Sequence, residues 1–162
     1  MLTTTANKLS LKEAYVLGNH LMHQHGLHAE GWKFVLNSTR SSLGMCYYYK
    51  KTIAVSRYNV IYNSEDVVRN TILHEIAHVL AGKQKEYGHG KIWRDIAKSI
   101  GCDGYRCGSM IVPPKFLGVC PSCSREFKKS RRLKNEACGS CCKRYNNGLW
   151  HESFVIQWTK NS

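Results

Sequence analysis

The sequence predicts an α+β fold, helices packed on a small sheet, followed by a small cysteine-rich module. Three observations predict it. Apolar residues recur at helical three-to-four spacing in three separate segments. Between the first two of these lie short runs rich in aromatic and β-branched residues, which favour strands. The last 45 residues hold five of the eight cysteines.

Each element has its own signal. Ser10-Leu11-Lys12-Glu13 has the form of a capping box and opens a helix expected to reach His25, with Gly26 as its stop. Trp32 to Leu36 reads as a strand, as do Met45 to Tyr49 and Thr52 to Arg57, the last two joined by a turn at 49–52. Asn63 or Ser64 caps a second helix, with Glu65 and Asp66 complementing its positive end. Val68, Ile72, Ile76, Val79 and Leu80 mark its buried face to about Ala81, and Gly82 ends it. A third helix starts near His89, carries Ile92, Trp93, Ile96, Ala97 and Ile100, and closes at Gly101. The segment from Met110 to Gly118 contains tandem prolines, which hold the chain extended. The expected division is therefore a first domain over 1–112, a linker over 113–118 and a small module over 119–162. A terminal strand is expected from Leu149 to Trp158.

Composition narrows the function. The chain has 162 residues and a formal charge of +13 from 24 basic and 11 acidic side chains. It contains no apolar run of about 18 residues, so no membrane span is expected. The polar stretch Met1 to Ser10 lacks the apolar centre of a secretory signal. The expected location is a reducing cytoplasm, where cysteines serve as metal ligands or free thiols before disulfides. The positive charge points to a polyanionic partner, nucleic acid first. It is densest in residues 118–162, which hold nine basic and three acidic side chains.

His74-Glu75-Ile76-Ala77-His78 places two imidazoles one turn apart on one helix face. This HExxH arrangement lets both histidines bind one zinc ion while the glutamate acts as general base. A third protein ligand is needed, and Glu86, His89 and Asp95 are candidates. His89 is favoured, because ten residues separate it from His78 and Gly88 and Gly90 flank it. Ala81 and Gln84 stand where a metzincin would need glycine and histidine. Zinc on His74, His78 and His89 would activate a water, with Glu75 taking its proton, for hydrolysis of a peptide or amide. Tyr87 is a candidate for stabilising the oxyanion, from its place in the sequence alone.

Cys120-Pro-Ser-Cys123 and Cys138-Gly-Ser-Cys141 are two CxxC knuckles separated by 14 residues. Four thiolates at this spacing suit a closed, structural zinc site, with Cys142 as a possible replacement for Cys141. The expected cofactor is thus Zn²⁺, two per chain, one catalytic and one structural. Between the knuckles lie Arg125, Lys128, Lys129, Arg131, Arg132 and Lys134. These would bind phosphates, while Phe127, Tyr145, Trp150 and Trp158 could stack on unpaired bases of DNA. His20, His23, His25 and His28 read as surface or capping residues. Cys102 and Cys107 could bind a metal together with Cys46 but read as free thiols first, and His151 has no evident partner.

Thr71 to His78 and Gly88 to Trp93 together resemble the SprT-like family, which includes the Spartan proteases. Leu43 to Cys46 and Ile53 to Ser56 are similar to that family's small sheet, and the tail is similar to the zinc ribbon following the catalytic domain in many members. The likeness covers roughly residues 10–158. It implies a zincin-like catalytic domain with zinc ligands at His74, His78 and His89 and a catalytic Glu75. It also implies a zinc metalloendopeptidase that cleaves proteins bound or crosslinked to DNA, in DNA–protein crosslink repair, with DNA as activator. The expected partners are DNA, including single-stranded regions, and DNA-bound proteins, without a membrane. The expected setting is the nucleoid, or a host cytoplasm for a viral protein. The competing expectation is a zinc-ribbon nucleic-acid-binding or regulatory protein whose zincin domain is a non-catalytic scaffold.

Overall fold

The structure is a computed structural model and describes residues 7–105 and 113–161. Cys107 and residues 110–112, just before the expected linker, lie outside the described residues. The chain divides into two compact units, 1–112 and 113–162, and its architecture is mixed α+β, as the sequence predicts.

In the first unit, α1 (Leu11–Gln24) begins at the capping box: Ser10 accepts from the Glu13 backbone, and Glu13 accepts from the Ser10 backbone. Gly26, at φ +70°, takes the left-handed turn that ends the helix. Gly18 sits where a Cβ would lie 2.4 Å from the Phe34 ring, so its missing side chain lets α1 settle on the sheet. The strands are β1 (Lys33–Asn37), β2 (Gly44–Tyr47) and β3 (Thr52–Ser56). Their order is β1-β3-β2, with β1 parallel and β2 antiparallel to β3. The central strand β3 buries Ile53, Ala54, Val55 and Ser56, which is why its pattern is nearly continuous rather than alternating.

A short helix, α2 (Arg57–Tyr62), follows β3 directly and is absent from the sequence expectation, which ran the strand through Arg57. Its signal is Ser56, whose side chain accepts from the Tyr58 backbone as an N-cap. The long helix α3 (Glu65–Gly82) then packs against α1, α2, the sheet and α4 (Lys91–Ser99). Val68, Ile72, Leu73, Ile76, Ala77 and Val79 are buried in the core. Thr71 and Glu75 are buried too, so α3 is covered around most of its girth near the sheet. Asn59, Asn63 and Thr71 satisfy one another there: Asn59 donates to Thr71 at 3.0 Å and Asn63 to Asn59 at 2.9 Å.

In the second unit, β4 (Phe116–Val119), β5 (Glu126–Lys129) and β6 (Gln157–Lys160) form an antiparallel sheet in the order β5-β4-β6. The linker expected over 113–118 is thus shorter. Phe116, Leu117 and Gly118 already belong to β4, because Gly118 lets Ile156 and Trp158 close over the strand. The terminal strand also starts and ends later than the expected Leu149–Trp158: a single 3₁₀ turn occupies Glu152–Phe154, capped by the His151 side chain, Val155 makes an isolated antiparallel bridge to Ala137, and the strand itself runs over Gln157–Lys160. A helix, α5 (Gly139–Tyr145), carries Cys141 and Cys142. Among the described residues, no helix is long and apolar enough to cross a membrane.

Candidate metal centres

α3 delivers His74 and His78 from successive turns, their rings 5.0 Å apart. His89 arrives from the residue before the α4 N-cap, Gly90. Its Nε2 lies 3.0 Å from that of His74 and 3.1 Å from that of His78. Three nitrogens facing one point can hold a metal ion, and the donor set is that of a three-histidine site with open positions. Burial, then the neighbouring imidazoles, lowers His74 and His78 to about 4, so both are neutral with free lone pairs near neutrality.

Trp93 is the wall behind this group. Its ring is fully buried and lies 4.7, 5.4 and 4.5 Å from those of His74, His78 and His89. Backbone groups hold the metal-facing rings further. The Tyr105 backbone hydrogen-bonds to His74, which raises its basicity against the burial effect. Asp103 fixes that turn, exchanging two 2.9 Å bonds with Asn70 of α3 and accepting from the Tyr105 backbone at 2.9 Å. Tyr48 donates to the His78 carbonyl at 2.9 Å, and Gly82 leaves room for its ring. A cavity of about 450 Å³ lies beside the histidines, lined by His89, Trp93, Arg94, Gly104 and Tyr105.

Glu75 is buried, and burial pushes its carboxyl up to about 8. It lies against Gly44 at the start of β2: a Cβ there would come 2.8 Å from Glu75 Oε1. Cys46, on the same strand, feels that carboxylate. Burial and then Glu75 raise its thiol to about 12, which makes it a poor nucleophile near neutrality.

The other ligand candidates have different occupations. Glu86 accepts a hydrogen bond from the Trp93 backbone, and Asp95 pairs with Lys91 at 2.7 Å on an exposed surface. Tyr87 stands 5.2 Å edge-on to Tyr48 and is mostly exposed, which makes it a packing partner of Tyr48. His28 bridges the carbonyls of Trp32 and Asn19.

The second unit brings Cys120, Cys123, Cys138 and Cys141 together, their sulfurs all within 4.8 Å of one another. Cys120 follows β4, and its amide bonds to Arg125 O while Ser124 N returns to Cys120 O, which folds the first knuckle. Cys138 caps α5 and Cys141 sits in its first turn. Cys142 is also buried but lies outside the four-sulfur group, packed in the small core. The cluster can hold a metal ion and fits a zinc-ribbon module.

The basic residues between the knuckles are unequal. Arg125, Lys128, Arg131, Arg132 and Lys134 are exposed. Lys129 is half-buried, paired with Glu136 and placed 5.9 Å from the Trp158 ring. Phe127 and Trp158 pack on each other inside the module, whereas Tyr145 and Trp150 are exposed. Trp150 is held by its indole N–H on Asn135 O at 2.8 Å.

Comparison with known proteins agrees with this geometry. None of the curated proteins compared with the chain matches it. The SprT-like family model matches residues 12–111, the stretch that contains all but the first residue of α1, the sheet, all three histidines and Glu75, and the chain therefore belongs to the SprT-like family.

Proposed function

We propose that the chain is a zinc-dependent metalloendopeptidase acting on proteins bound or crosslinked to DNA. The observation that carries the peptidase reading is the convergence of His74, His78 and His89, with Glu75 buried on the same helix. Zinc bound by these three imidazoles supplies Lewis acidity at the point where their nitrogens meet. The chain's own groups do the rest. His74 and His78 stay neutral to present lone pairs. The burial of Glu75 keeps its carboxylate basic, which suits a group that takes a proton from water and returns it to a leaving amine. Positive charge left on the metal site lowers the Glu75 pKa from its metal-free position toward the working range.

The nucleic-acid part of the reading rests on charge. Residues 118–162 carry nine basic and three acidic side chains, and five of the six basic residues singled out there are exposed. Such a surface binds phosphates with a strong salt dependence. The ribbon's four thiolates hold a second, structural zinc, giving two per chain.

The test is cleavage of a DNA-binding protein with and without DNA, by the native chain and by Glu75→Gln. The native chain cleaves when DNA is present, and the variant keeps two zinc ions and its fold but does not cleave. Undiminished cleavage by Glu75→Gln overturns the peptidase assignment. Equal cleavage without DNA removes the DNA-dependent part alone.

A further inference from the structure

Glu86 links the two helices that present the histidines. Its backbone N–H bonds to Ala81 O at 3.2 Å, in the last turn of α3. Its side chain reaches forward, and Oε1 accepts from the Trp93 backbone at 2.7 Å, in the first turn of α4. Between these two anchors the chain turns through Lys85 at φ +61° and delivers His89.

α4 lacks an ordinary cap. Its N-cap is Gly90, which has no side chain to accept from the third helical amide, and Trp93 N is that amide. The φ of Gly90 is −72°, open to any residue, so backbone conformation does not call for glycine. What calls for it is Glu86. A Cβ on Gly90 would lie 2.4 Å from Glu86 Oε2 and 2.6 Å from its Cδ. The carboxylate fills the space that a capping serine or aspartate would use, and it meets the positive end of the helix dipole there.

We propose that Glu86 is the positioning residue of the His89 ligand. It is a cap supplied from outside the helix, fixing the turn from which His89 reaches His74 and His78. The proposal rests on the metal reading of those three imidazoles. Its leverage comes from Trp93: the amide Glu86 holds belongs to the residue whose ring backs all three imidazoles.

The experiment loads Co²⁺ at the histidine site of the full chain, with zinc kept in the ribbon. It reads affinity by chelator competition and geometry by the visible bands. Glu86→Ala weakens Co²⁺ binding about 10- to 100-fold, the usual range for losing an outer support of a metal ligand, and alters the bands. Glu86→Gln keeps the acceptor oxygen and stays close to the native affinity. Glu86→Ala combined with Gly90→Ser restores a side-chain cap in the vacated space and recovers most of the loss. Gly90→Ser alone, with Glu86 still in place, weakens binding. Should Glu86→Ala fail to fold, Glu86→Asp, which keeps the charge but shortens the reach, carries the same expected loss. Native affinity and bands in Glu86→Ala overturn the proposal, and so does a loss that Gly90→Ser leaves untouched. Absence of Co²⁺ binding by the native histidine site instead overturns the metal reading beneath it.

Discussion

The three imidazoles of the first unit sit on a core that exists without them. Phe34, Ile53, Val60, Ile72, Ile76 and Trp93, among others, are buried there, whereas His74, His78 and His89 are only half-buried at its edge. The second unit is built the other way round. Among the described residues, four of the six buried residues of its core are cysteines, the other two being Phe154 and Ile156, with Phe127, Ala137 and Trp158 packed against them half-buried. One unit offers a metal three ligands and an open position, and the other offers four and closes around it. The difference teaches that a candidate metal site can be laid on a finished apolar scaffold or can itself supply most of a small core.

The largest effect that tests this contrast is metal removal. Chelation, or Cys138→Ser, is expected to unfold residues 113–162 and leave the helical signal of the first unit nearly intact. Apparent zinc binding energies of such small modules are about 10 kcal/mol or more. Limited proteolysis with mass mapping reads which unit opens, and a ribbon that stays protected without metal breaks the comparison.

Next comes chemistry without construction. Glu75→Gln is expected to lower cleavage by about 10²- to 10⁴-fold, the range for a lost general base, with metal content and far-ultraviolet circular dichroism unchanged. Steady-state kinetics beside metal analysis would show it. Loss of fold in this variant would place Glu75 among the construction residues.

A pH series sharpens the contrast further. In the metal-free chain the Glu75 carboxyl sits at about 8, against an ordinary 4.5. The folded state holds a proton there that the unfolded chain has released, so its stabilising contribution is full below about 4.5 and lost as pH rises through about 8. Glu75→Gln cannot ionise, so metal-free thermal melts of the two proteins should diverge from pH 5 to 8 in favour of the variant. His74 and His78 act in the opposite sense. Lowered to about 4 from 6.5, they destabilise the fold as pH falls through that window, equally in both proteins. Parallel melting curves for the two proteins would contradict the burial account of Glu75.

The smallest effect is at the support of His74. Asn70→Ala removes both bonds to Asp103 and frees the turn that brings the Tyr105 backbone to the imidazole. A loss of about 10-fold in metal affinity is expected, read by chelator competition, with the ribbon's metal retained. An equal loss at both centres would mean the effect is not local to the first unit.

How much of this was legible in the sequence follows the reach of each interaction. His74 and His78 are one helical turn apart, and the knuckle cysteines come as local CxxC pairs, so both stand out in one dimension. His89 could be favoured from its flanking glycines, but Glu86 remained a rival. Nothing local says that its carboxylate caps the next helix. The parallel pairing of β1 with β3 joins segments on either side of β2, which no run of residues announces. The short helix α2 was hidden because strand-like Thr52–Ser56 leads straight into it, with Ser56 as both the last strand residue and the cap. Tyr48 and Asn70 carry no sequence pattern that marks them as supports of the histidines: Tyr48 reads as one more residue of the Met45–Tyr49 strand, although the structure ends that strand at Tyr47, and Asn70 reads as one more polar residue on a helix. Lys129 read as one more basic residue, and only its pairing with Glu136 separates it from its exposed neighbours.

Gly44 has a consequence of another kind. The first atom of any side chain there would press on Glu75 Oε1 at 2.8 Å, and on Glu75 Cγ and Thr71 Cγ2 at 2.9 Å. A single methyl group at this position is therefore a wedge aimed at Glu75 from the neighbouring strand, and the atoms nearest it belong to Glu75 and Thr71 rather than to a histidine. On the proposed peptidase reading, Gly44→Ala is expected to lower cleavage while the histidine and cysteine clusters and the surface charge stay native. It would be a decoy that still occupies whatever the active protein occupies.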